Sequence, residues 1–287
     1  MLTLLLKLRA PFTRLIWTPK EKRLLYALAL LFALGFFGHA MFPLTPDAVH
    51  ALMLNLGVHH HSGAQGFADT RALFSLPNAA DVLSNLPFLV FGVWGLLRLR
   101  ARRHGQTAAM TAFFIGLVCT ALGSMWYHLA PSDATLLWDR AGMGLAFAGV
   151  MGLAAGQAGS VRVGLVTLWA ALIGAALALG VWHSTQDVLP WSVVQFGGMV
   201  LILSCAFAQP AFPQPAFAQL KPSADAPIKL LALIGFYALA KAFESMDLAI
   251  YQATGYVVSG HSLKHIAASL AAIPVLASLN QGRRRQG

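Results

Sequence analysis

Charge is what this sequence has least of. Only 10% of its 287 residues are Asp, Glu, Lys or Arg, against about 25% in a soluble domain. With 57% of residues hydrophobic and a mean hydropathy of +0.66, this scarcity excludes an ordinary soluble globule and places the chain in a bilayer. Cysteine is nearly absent. Cys119 and Cys205 both lie in apolar runs, which excludes a disulfide framework or a CxxC metal motif and leaves two small buried thiols. A clean signal peptide is also missing. Charges interrupt the apolar part of MLTLLLKLRAPFTRLIWTPKEKR and Pro11 breaks it, so a short interfacial segment is expected there, followed by a run suited to an uncleaved signal anchor. No long repeat is present. Only QPAF recurs, inside a Pro- and Ala-rich loop of polyproline character.

Long apolar runs are abundant. A spanning helix needs about 20 mostly apolar residues, and eight stretches qualify, near 23–42, 79–97, 107–129, 135–156, 161–181, 190–208, 229–252 and 262–280. PLTPD, RLRARRHGQ, APSD and the segment 209–227 separate some of them. With the N-terminus placed in the cytoplasm, sixteen of the twenty Lys and Arg residues fall on the inner side, as the positive-inside rule requires. The net charge of +10 therefore needs no nucleic-acid partner, and both termini are expected inside.

This threading sorts the polar residues. Ser124 and His128 close the third run. Asp139 and Arg140 open the fourth. Lys241, Glu244 and Asp247 end the seventh, and His261, Lys264 and His265 open the eighth. Asn78, Asp81, Ser84 and Asn85 begin the second. All fall in the outer leaflet, whereas the inner halves of the same helices are almost purely apolar. Ionisable residues in a membrane face the bundle interior and mark function. His261 and His265 are four apart and share a helix face, as do Ser124 and His128. Two histidines from one helix and a third from a neighbour suit zinc, with a fourth position left for water.

The set SMWYH, then Asp139 eleven residues after His128, then GHSLKH, resembles the alkaline ceramidases. More broadly it resembles the seven-helix superfamily that also holds the adiponectin and progestin receptors. DVLSNLPF is similar to the opening of that family's first core helix, and PNAADVLSNLPF with SGHSLKH is most similar to the bacterial ceramidase-like branch. The resemblance implies an all-α membrane protein, a seven-transmembrane-helix bundle with one extra N-terminal helix. Residues 1–66 would hold a basic segment, that helix and an outer loop; 67–280 the catalytic domain; 281–287 a basic cytoplasmic tail. It implies zinc on His128, His261 and His265, with Ser124 and Asp139 beside the metal. The family's acidic calcium-binding cluster is not retained; the stretch reads GFADTRALFSLPNAAD, with Asp69 and Asp81 as its acidic residues.

The expected chemistry is hydrolysis of the amide of ceramide or another N-acyl lipid at the outer face of a bacterial inner membrane. Asp139 serves as general base and acid, and Ser124 donates to the developing oxyanion. Asp81, Glu244, Asp247 and Lys264 are candidates for support around the metal. Asp81 equally suits a helix cap, Glu244 and Asp247 a solvated helix end, and Lys264 either a snorkelling head group or a pair with Glu244 or Asp247. A metal-containing sensor with little turnover is the alternative. A haem carrier has no use for Asp139. His59, His60 and His61 read as an outer surface tract, and His39 and His183 as interfacial residues. Trp126, Trp138, Trp182 and Trp191 read as an aromatic belt.

Overall fold

The computed structural model describes residues 17–45, 47, 66–100, 105–208 and 227–281. His59 to His61, most of the N-terminal interfacial segment, nearly all of the QPAF loop and the basic tail lie outside them. Helices dominate, and no strand forms among the described residues beyond one isolated bridge, Leu73 to Leu76. In chain order they are α1 (Pro19–Met41), α2 (Ala79–Leu83), α3 (Leu86–Arg100), α4 (Thr107–Leu129), α5 (Asp133–Ala158), α6 (Val161–Thr185), α7 (Leu189–Ser192), α8 (Gly198–Phe207), α9 (Leu230–Ser245), α10 (Asp247–Ala253), α11 (Gly260–Leu270) and α12 (Ala272–Gln281). A π-helical turn, Val193–Gly197, joins α7 to α8.

Among the described residues, seven helical stretches are long and apolar enough to cross a membrane. They are α1, α4, α5, α6 and the joined pairs α2–α3, α7–α8 and α11–α12. The expected run at 229–252 is not among them. It divides at Met246 into the 16 residues of α9 and the 7 of α10. The break follows from packing: a Cβ on Gly260 would lie 2.3 Å from Phe243 O and 2.7 Å from Asp247 Cα. The start of α11 thus presses against the point where α9 ends.

Between α4 and α5 glycine permits close approach. A Cβ would fall 2.3 Å from Ala146 N at Gly116, 2.5 Å from Trp138 O at Gly123, 2.4 Å from Thr120 N at Gly142 and 2.5 Å from Phe113 N at Gly149. Apolar burial gives little net drive between helices in lipid, so such a small-residue seam supplies dispersion contact instead. The register it sets brings the end of α4 to the start of α5. The extra helix α1 is fastened at both ends. Glu21 completes a capping box with Thr18 and accepts from Ser160 Oγ at 2.5 Å. At the other end His39 pairs with Asp187, so His39 is not simply an interfacial residue. Asp187 also accepts from Leu44 N and Leu189 N, each at 2.8 Å. Burial pushes the Asp187 carboxyl up, but the hydrogen bonds from His39, Leu189 and Leu44 outweigh it and hold it below its ordinary range.

Two of the four belt tryptophans are core residues. Trp182 is 2% and Trp191 5% exposed, while Trp126 and Trp138 are 50% and 56% exposed and stack on each other. The cysteines are free; Cys205 is buried and Cys119 half-buried.

Candidate metal centre

Three histidines meet. His128 lies in the last turn of α4, and His261 and His265 in the first two turns of α11. One ring nitrogen of each lies within 4.8 Å of the others, and the ring centroids are 4.9 to 5.0 Å apart. His128 and His265 are buried and His261 half-buried. Asp139 is not in that set of mutually close groups. Instead it sits where α5 packs on Gly123 of α4, its side chain near enough to Ser124 for the two to interact; Ser124 is one turn before His128.

The helix ends that carry the histidines are fixed by polar side chains. Terminal carbonyls and amides have no partner within their own helix. Asn78 Nδ2 donates to His128 O at 2.7 Å; Asn78 has φ 46° and ψ 41°, the left-handed region that Asn tolerates. At α11 the Ser259 hydroxyl caps Ser262 N at 3.0 Å, and the Asp247 carboxylate accepts from His261 N at 2.8 Å. Asp247 also accepts from Ala68 N at 3.1 Å. It therefore caps a helix and anchors a loop rather than standing in solvent.

His265 has a second layer of contacts. Ser84 Oγ lies 2.8 Å from His265 Nδ1 and 2.9 Å from Asp81 O. Asn85 Nδ2 also lies 3.3 Å from Nδ1, so this nitrogen is held from behind by two side chains, the usual means of orienting a metal-binding imidazole. Asp81 is fully buried. It does not cap its helix; its Oδ1 accepts from Ser262 Oγ at 2.7 Å, tying α2 to α11. Lys264 does not snorkel. Its Nζ is 3.2 Å from Glu244 Oε1 and 3.0 Å from His261 Nε2. Glu244 is also paired with Lys241 at 2.6 Å.

Phe67 covers the cluster, its ring centroid 4.6 Å from His128 and 4.9 Å from His261. The loop that carries it is held by Asp69, which binds Arg71 through two side-chain contacts of 2.8 and 2.7 Å. Arg71 in turn reaches Val257 O at 2.8 Å. The Arg71 hydrogen bonds hold the Asp69 carboxyl below its ordinary range. Asp69 is thus neutralised by a guanidinium rather than poised for calcium. Phe67 and Ser262 were not singled out in the sequence: Ser262 sits within GHSLKH, but like Phe67 it acts through contacts between distant segments that no spacing specifies.

The donor set fits a metal ion. It comprises three imidazoles converging from two helices, one held from behind at Nδ1. His128 Nδ1 is buried without a hydrogen-bond partner among the described residues, a state destabilised by about 1–3 kcal/mol unless something satisfies the lone pair. The Lys264 ammonium, 3.0 Å from His261 Nε2, engages that nitrogen and has to move aside, toward its partner Glu244, for His261 to bind a metal through it. Directly below lies an apolar cavity of about 110 Å³. Thr120, one turn from Ser124, lines it, as does Ala268, three residues after His265. Met143, Ala146 and Val150 also line it; with Asp139 they form one stripe along α5 at helical spacing.

No family model, curated protein or solved structure matches this chain.

Proposed function

We propose that this chain is a zinc-dependent membrane hydrolase of the alkaline-ceramidase type. It cleaves the amide of ceramide or a related N-acyl lipid to a fatty acid and a sphingoid-type amine, with its site in the outer leaflet. The observation that carries the reading is the buried histidine triad beside the Ser124–Asp139 pair, at the head of an apolar cavity.

Zinc held by His128, His261 and His265 supplies Lewis acidity toward a carbonyl and makes a water more acidic. The protein's own groups supply the rest. The apolar cavity takes an acyl chain and points its carbonyl up toward Asp139. Asp139 accepts a proton from the attacking water as the new C–O bond forms, then passes it to the amide nitrogen as the C–N bond breaks. Ser124, beside Asp139 and one turn from the triad, has one proton to give, and it turns that proton from the carboxylate to the oxyanion as the oxyanion develops. Phe67 limits water at the outer side. Asp247, Asp81 and Ser84 hold α11 and His265 in place.

Asp139→Asn tests the division of labour. The variant keeps its zinc and loses turnover by roughly 10²–10⁴-fold, the contribution of a general acid–base group. Wild-type turnover in zinc-bearing D139N contradicts the assignment. Outright loss of zinc makes Asp139 a fourth ligand and favours the sensor reading.

A further inference from the structure

Arg140 takes no part in the hydrolytic centre. It follows Asp139, and one residue turns an α-helix by about 100°, so Arg140 is directed to α6 while Asp139 faces α4. The Arg140 guanidinium carbon stands 4.2 Å from the centroid of the Trp182 ring. Arg140 Nη1 is buried without a hydrogen-bond partner, and Arg140 makes no ion pair or hydrogen bond among the described residues. The carboxyl groups of Asp133 and Asp139 act on it through their charges without bonding it. Arg140 as a whole is half-buried, so the part of its guanidinium that reaches the surface needs acceptors in place of water once lipid surrounds it, and stacking on an indole offsets only part of that need.

Its depth indicates the missing acceptor. Arg140 is seven residues into α5, about 10 Å along the axis from the outer end of the helix. Trp138, two residues away, is exposed and stacked on exposed Trp126 at 6.3 Å, and such residues mark the head-group level. Phosphate is the anion abundant at that level, and its oxygens match the planar donor fork of arginine. We propose that Arg140, backed by Trp182, is a binding site for the phosphate of an outer-leaflet phospholipid, separate from the histidine centre. The site goes beyond the hydrolase reading and does not depend on it.

The test uses full-length, delipidated protein in a non-ionic detergent. Its Tm is followed against dihexanoyl phosphatidylglycerol, against dihexanoylglycerol, which lacks the phosphate, and against sodium phosphate. The phospholipid raises the Tm; the diacylglycerol at the same concentration does not. Arg140→Gln weakens the midpoint about tenfold or more, as loss of charged hydrogen bonds implies. Arg140→Lys keeps the charge, loses the fork and falls between. A shift of equal size from sodium phosphate overturns the lipid assignment. A wild-type response that does not distinguish the two lipids overturns the site. If R140Q does not fold, R140K decides, and a midpoint equal to wild type overturns the site. Zinc content in R140K stays at the wild-type level, so failure here is distinguishable from failure of the hydrolase reading.

Discussion

His265 is gripped from behind by Ser84 at 2.8 Å, and this determines how the triad responds to mutation. His261→Ala and His265→Ala each remove one of the three proposed ligands, and each variant should purify with little of the zinc expected in the wild type, measured by elemental analysis. Full occupancy in both variants ends the metal proposal. Ser84→Ala leaves every ligand in place but frees the ring, and the zinc affinity should fall by about 10–100-fold, as for other outer-shell partners. At this scale the sequence was informative where chemistry recurs at fixed spacing. Ser124, His128, Asp139, His261 and His265 were all legible because one helical turn and one leaflet relate them. Phe67, Ser262 and the true roles of Asp81 and Asp247 were not. Each acts on a residue far away in the chain: Phe67 on His261, Asp81 on Ser262.

At the scale of elements, two joints carry the site. The α4–α5 seam sets Ser124 against Asp139, and its glycines leave no room for a side chain: a Cβ at Gly142 meets Thr120 N at 2.4 Å. The other joint fastens α1 through Asp187, whose carboxylate takes hydrogen bonds from Leu44 N, Leu189 N and His39. A carboxyl held below its ordinary value contributes stability above that value and loses the contribution as pH falls through the folded value. Asp187→Asn should therefore lower the Tm at neutral pH, and the difference from wild type should shrink as pH drops below the ordinary 3.8. A pH-independent difference, followed by thermal melts across the acid range, contradicts a role for the Asp187 charge. The helix count was read nearly correctly from hydropathy, since apolar length alone identifies spans. The exception, 229–252, is continuous in hydropathy but interrupted in space, because α11 packs on the place where α9 stops.

For the whole molecule, the distribution of charge and the position of the site should agree. If α9 and α10 together make the eighth crossing, sixteen of twenty basic residues fall on one side, which would put the Ala130 loop outside and the Lys229 loop inside; both residues are exposed. In a chain with Cys119 and Cys205 changed to alanine, a cysteine at Ala130 should react with an impermeant reagent added outside, and one at Lys229 should not. The reverse pattern moves the histidine centre to the other face. Within that frame the molecule has a polar end and an apolar interior. The triad, Asp139 and the Lys264–Glu244 pair lie at one end of the bundle, and the cavity lies beneath them. That polarity was visible in the sequence as the sorting of polar residues into one leaflet. The cavity was not, because its lining comes from single residues on several helices whose packing no periodicity specifies.

The most direct measurement is release of fatty acid from a short-chain fluorescent ceramide and from other N-acyl lipids by purified protein, before chelation, after chelation and after zinc is restored. The zinc-loaded protein should hydrolyse at least one of these amides, lose that activity with the metal and regain it when zinc returns. Zinc-replete, folded protein that releases no fatty acid from any of them, or hydrolysis that persists after the metal is gone, would contradict it.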